Sequence, residues 1–119
     1  MNYLFKKLFI KVILHYYSLL GYGVIVYGYS GIIIDTNKKA CKLLQYEKTD
    51  LLYKSFLMLL PVHKLTKNLD YFESVITNNC ISKFEERTRM TKSGNAIKVL
   101  LKPIRFPNLN LYFSIAKLK

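Results

Sequence analysis

Apolar residues recur at three- and four-residue intervals from the start of the chain: Leu4, Phe5, Leu8, Phe9, Val12, Ile13, Tyr16 and the Leu19-Leu20 pair. That is the period of an α-helix, so an amphipathic helix is predicted over residues 3–20, with Lys6, Lys7 and Lys11 on or beside its other face. Gly21 is a suitable stop for it. The pattern then changes. In YGVIVYGYSGIIIDTN two β-branched runs, Val24-Ile25-Val26 and Ile32-Ile33-Ile34, flank Gly28-Tyr29-Ser30-Gly31, which is the pattern of a hairpin. Farther on, Leu65, Leu69, Phe72 and Ile76 step by four, three and four, predicting a helix that Asn78-Asn79 breaks. Alternation follows: Phe84, Glu86, Thr88 and Met90 share one strand face, and Lys83, Glu85, Arg87 and Arg89 the other. In the next strand Ile97, Val99 and Leu101 oppose Lys98, Leu100 and Lys102. Pro107-Asn108-Leu109-Asn110 makes a turn into a last strand, Leu111 to Leu118.

The stretch from Val12 to Ile34 has no charged residue and is long enough to span a membrane. It nevertheless contains Gly21, Gly23, Gly28, Gly31, Ser18, Ser30, His15 and several tyrosines, and its period changes midway, so helix plus hairpin is the preferred reading. Composition allows a packed core: 51% of residues are hydrophobic and 22% charged over 119 residues, the size of one domain. The formal charge of +12 raises the question of a nucleic-acid or anionic-membrane partner. The cations are scattered as pairs such as Lys6-Lys7 and Lys38-Lys39 and never form a long basic run, so nucleic acid is not the expected partner. With two cysteines, Cys41 and Cys80, and two histidines, His15 and His63, no zinc spacing and no disulfide framework can be drawn. Both thiols read as small core residues in a reducing interior.

An ordered set of residues carries a resemblance. Gly31, Asn37, Ala40, Leu43-Leu44, Tyr46, Asp50-Leu51 and Pro61, followed by Glu86, Lys92, Gly94 and Val99, resemble the sequence of a PAS domain over residues 22–118. Each has a local role to play: Asn37 is placed to cap a helix starting at Lys38, Ala40 to let that helix pack closely, and Leu43-Leu44 to supply its core face. Gln45 stands where the family usually has Gly before the aromatic. The resemblance implies an α+β fold, a five-stranded antiparallel sheet with helices on one face, preceded by the amphipathic N-terminal helix. Residues 1–20 would form that helix and residues 22–119 the PAS-like domain.

The same resemblance implies a sensor or protein-interaction module in signal transduction. The family's signalling linker has no counterpart after SIAKLK, so output is expected through a partner or as part of a longer protein. Flavin-binding members carry an Asn-Cys-Arg motif where this chain reads YKSFLMLLP, and haem-binding members a His on the long helix, whereas His63 precedes it. Neither flavin nor haem is expected, nor a metal. No pair of carboxylates, no nucleophile with a base and no phosphate-binding glycine motif is evident, so no catalytic residue is assigned and an enzyme is not expected. Candidate lining residues of a pocket between sheet and long helix are Phe72, Ile76, Ile97, Val99, Leu101, Phe113 and Ile115, with ordinary core packing as their alternative role. Leu4, Leu8, Ile13 and Tyr16 form a stripe that needs a partner surface: the sheet, another protein, a second copy or a membrane. A small-molecule ligand, cytoplasmic placement and, as alternatives, membrane association through the N-terminal segment or nucleic-acid binding complete the expectations.

Overall fold

Helix α1 runs from Tyr3 to Leu19, and Gly21 ends it as the pattern requires. The Gly21 φ of 90° lets its N–H reach the Ser18 carbonyl at 3.0 Å and the Tyr22 N–H reach Tyr17 at 2.9 Å, a Schellman turn that satisfies two orphan carbonyls. Strands β1 (Gly23–Tyr27) and β2 (Ile33–Thr36) form the hairpin, followed by α2 (Lys38–Leu44), α3 (Lys48–Leu51) and a 3₁₀ turn at Phe56–Leu59. Strands β3 (Glu85–Met90), β4 (Ala96–Phe106) and β5 (Leu111–Leu118) complete the fold. This computed structural model describes residues 3–61 and 83–119; the helix expected around Leu65, Leu69, Phe72 and Ile76, with His63 and Cys80, lies outside them.

The five strands pair in the order β2-β1-β5-β4-β3, each neighbour antiparallel, so the first and last strands of the chain lie side by side at the centre. A layer covers each face. Ile25, Tyr27 and Tyr112 pack under α2, α3 and the 3₁₀ turn, against Ala40, Leu44, Leu51, Phe56 and Leu59. Val24, Val26, Phe113 and Ile115 face the opposite way, against Ile10 and Leu14 of α1. Helix α1 therefore roofs the outer face of the sheet, while α2, α3 and the 3₁₀ turn sit on the inner one.

Short links hold the inner layer. Asp50 Oδ2 accepts from the Glu47 N–H at 3.0 Å and from Lys92 Nζ at 2.9 Å, fastening α3 to the β3–β4 turn. The Lys92 hydrogen bond, followed by that from the Glu47 backbone, holds the Asp50 carboxyl below the usual carboxylate range. Gln45 ends α2 at φ 63° and ψ 32°, the left-handed conformation that suits the glycine usual in PAS domains. Its side chain accepts from the Ser93 hydroxyl at 3.1 Å, an exposed bond that does little to offset the strain. Gln45→Gly is therefore expected to raise stability by about 0.5 kcal/mol, read as a higher urea midpoint at unchanged slope.

Candidate functional site

The inner face of the sheet and α2 enclose a cavity of about 30 Å³. Strand geometry decides which side chains reach it. Val99 and Leu101 of β4 project inward, and Arg89 of β3 lies opposite Ile97 on the same side. Ile97 packs at the edge of the inner cluster. From β5 come Ser114 and Ala116, and from β1 Gly23 and Ile25, while Leu43, Leu44, Phe56 and Leu59 close the other wall.

Phe113 and Ile115 do not line this cavity. They point to the outer face and are fully buried beneath α1. The cause is visible in the burial of β5: its first five residues are all buried because both faces of the strand are covered, so hydrophobicity does not tell inner from outer positions. The small residues Ser114 and Ala116 carry no apolar signal, yet they are what leaves room on the inner side. Phe72 and Ile76 lie outside the described residues.

The cavity wall is apolar apart from a few groups. Arg89 is only 4% exposed; Nη1 donates to the Thr88 carbonyl at 2.9 Å and the guanidinium lies 5.4 Å from the centre of the Phe56 ring. The contact with an aromatic face steadies a charge that burial would otherwise disfavour. Tyr27 stands 4.9 Å from Phe56 and 6.0 Å from Tyr112, extending the aromatic packing away from the cavity. Cys41 is half-buried against this cluster, and burial pushes its thiol up, away from the thiolate form that nucleophilic or ligand chemistry requires. Among the described residues, no three His, Cys, Asp or Glu side chains form a metal-binding group.

The second candidate surface is α1. Ile13 of the expected stripe packs against the outer cluster, whereas Leu4, Leu8 and Tyr16 are 71%, 62% and 54% exposed. His15 is exposed. Phe5, Val12 and Leu19 are also exposed, so α1 has a buried apolar face and an exposed one. A one-stripe reading mixed the two. Phe5, Leu8, Val12, His15 and Leu19 follow one another at intervals of three, four, three and four, the seam spacing of paired helices. No helix among the described residues is long and apolar enough to cross a membrane.

By sequence, no family model and no curated protein matches the chain. By structure, similar folds are found. The PAS domain of a Colwellia psychrerythraea protein superposes with a TM-score of 0.75 at 19% identity, covering 93% of this chain and 97% of that one. A domain of a sensory box sensor histidine kinase/response regulator from Geobacter sulfurreducens gives 0.69 at 18% identity, covering 98% and 96%. The PAS domain of a LuxR-family transcriptional regulator from Burkholderia thailandensis, solved in complex with ethanol, gives 0.68 at 14% identity, covering 99% and 97%. The fold of this chain is PAS-like.

Proposed function

We propose that this chain is a sensory interaction module that takes a small apolar molecule into the cavity beneath α2 and reports it, through α1, to a second copy of the chain. The observation that carries the reading is the two-sidedness of the central strands. Ile25, Ser114 and Ala116 face the cavity, while Val24, Val26, Phe113 and Ile115, interleaved with them, face α1. A ligand that displaces β1 or β5 by a fraction of an ångström disturbs the packing under α1, because close-packed cores transmit strain. The cavity, at about 30 Å³, has room for about two waters, which supports an occupant of a few heavy atoms over a flavin or haem. The Burkholderia thailandensis domain was solved with ethanol, a molecule of that size. A binding role is favoured over a catalytic one because, among the described residues, the walls offer packing and one guanidinium and no acid–base pair.

A second copy is favoured as the partner because the exposed face of α1 keeps the three–four seam, and an apolar seam on a helix already docked by its other face needs a cover. The test uses the whole chain, since deleting α1 would bare Phe113 and Ile115. Light scattering over a concentration series is expected to show a monomer–dimer equilibrium for the native protein and a monomer for Val12→Asp. Val12 is 56% exposed, so the variant should melt within about 0.5 kcal/mol of the parent. A native chain that stays monomeric throughout overturns the dimer. With ethanol as the probe, amide shifts centred on Ile25, Leu44 and Ser114 support the cavity, and shifts spread over the surface overturn it.

A further inference from the structure

A groove of about 400 Å³ runs between the N-terminal half of α1 and the edge made by β2 and α3. Ile10 and Ile34 give it an apolar base. Lys6, Lys7 and Lys11 line it from α1, and Lys48 and Tyr53 from the other side. The charges are one-sided: among the described residues Asp35 is the only carboxylate that lines the groove, and Lys48 engages it at 2.9 Å. Among the described residues no ion pair engages Lys6, Lys7 or Lys11. Helix α1 has no acidic residue, and Lys7 and Lys11 stand four apart, where like charges oppose helix formation. Intrinsic helix stability does not account for this arrangement.

The far wall has a cost of its own. Tyr53 adopts φ 64°, a left-handed conformation that a bulky residue occupies at a cost on the order of 1 kcal/mol, and its N–H is held by the Ile33 carbonyl at 2.8 Å. Tyr53 and Tyr3, each 76% exposed, present rings on the groove's borders. The volume falls in the range of small-molecule sites, and Lys6, Lys7 and Lys11 all line this one concave space.

We propose that this groove binds a phosphate-bearing anion, with its phosphate among Lys6, Lys7 and Lys11 and its organic part against the tyrosines. Phosphate is preferred to carboxylate because the groups are compact ammonium charges with no guanidinium fork among them, and several such charges suit a multiply charged oxyanion. The site is separate from the cavity on the inner face, and an occupant would bridge α1 to β2 and α3.

A soluble phosphate compound and a lipid headgroup share this chemistry, so the test has two arms on the full chain. Calorimetry with inorganic pyrophosphate at near-physiological salt reads the soluble arm. Co-sedimentation with phosphatidylcholine vesicles, with and without phosphatidic acid, reads the lipid arm. Lys7→Gln/Lys11→Gln is compared with Lys39→Gln/Lys42→Gln, which removes the same charge from a shallower depression beside α2. At least a roughly tenfold loss of binding in the first variant, with the second close to the parent, is the expected result in whichever arm binds. Melting curves for both variants establish that each is folded. No binding in either arm, or equal loss in the two variants, overturns the proposal and leaves only the diffuse attraction of a chain with net charge +12.

Discussion

Asn37→Ala is expected to destabilise the protein by about 3 kcal/mol and to lower its melting temperature by roughly 15 °C. The side chain of Asn37 joins three elements. Its Oδ1 accepts from the Ala40 N–H at 3.0 Å, capping α2, and from the Val24 N–H at 3.0 Å, at the start of β1. Its Nδ2 donates to the carbonyls of Tyr22 at 3.1 Å and Leu14 at 3.2 Å, the latter inside α1. Loss of a cap alone costs about 1 kcal/mol; leaving partly buried backbone groups without partners adds about as much again for each that water does not reach. Asn37→Ser separates the contributions. It retains a capping acceptor but has no amide to donate to α1, so about half the loss should return. A loss below about 1 kcal/mol for Asn37→Ala in urea unfolding would mean that the side chain is only a cap.

This residue also marks the limit of what the sequence discloses. An Asn directly before a helical run signals a cap because that bond is local, and Asn37 was legible as one. The bonds to Leu14 and Val24 bridge residues 23 and 13 positions away, and no local pattern encodes them. The hairpin, the start of α2 and the alternating β3 and β4 were likewise legible from period, capping and turn chemistry, and the PAS resemblance supplied the five-stranded antiparallel sheet. Alternation identified Val99 and Leu101 as inward-facing because β4 is buried on one side only at those positions. It failed for Phe113 and Ile115 because β5 is covered on both sides, and it failed for α1 because that helix is apolar almost all round. In each case the missing information was the presence of a second layer. The lysine groove was hidden for a related reason: Lys6, Lys7 and Lys11 read as an ordinary solvated face until β2 and α3 supply its other wall.

A second layer also decides the effect of Gly23→Ala, expected to cost about 3 kcal/mol. In sequence this glycine belongs to a run that softens an apolar stretch. In the fold it lies in β1, paired with Ala116, directly beneath α2. A Cβ there would stand 2.7 Å from the Cα and 2.8 Å from the N of Ala40, whereas carbon atoms pack best at about 3.5–4.0 Å. Both close atoms are backbone, so no rotamer change relieves the overlap and α2 must move off the sheet. Ala40 is 3% exposed and Asn37 fixes the first turn of α2, so the movement disrupts the cap and the cavity together. Adding Ala40→Gly removes only the 3.1 Å contact with Cβ, and a glycine inside a helix costs about a further 1 kcal/mol. The double variant should therefore be no more stable than Gly23→Ala alone, as measured by thermal unfolding. Recovery of parental stability in the double variant would show that side-chain crowding, not the approach of the two backbones, sets the seat of α2.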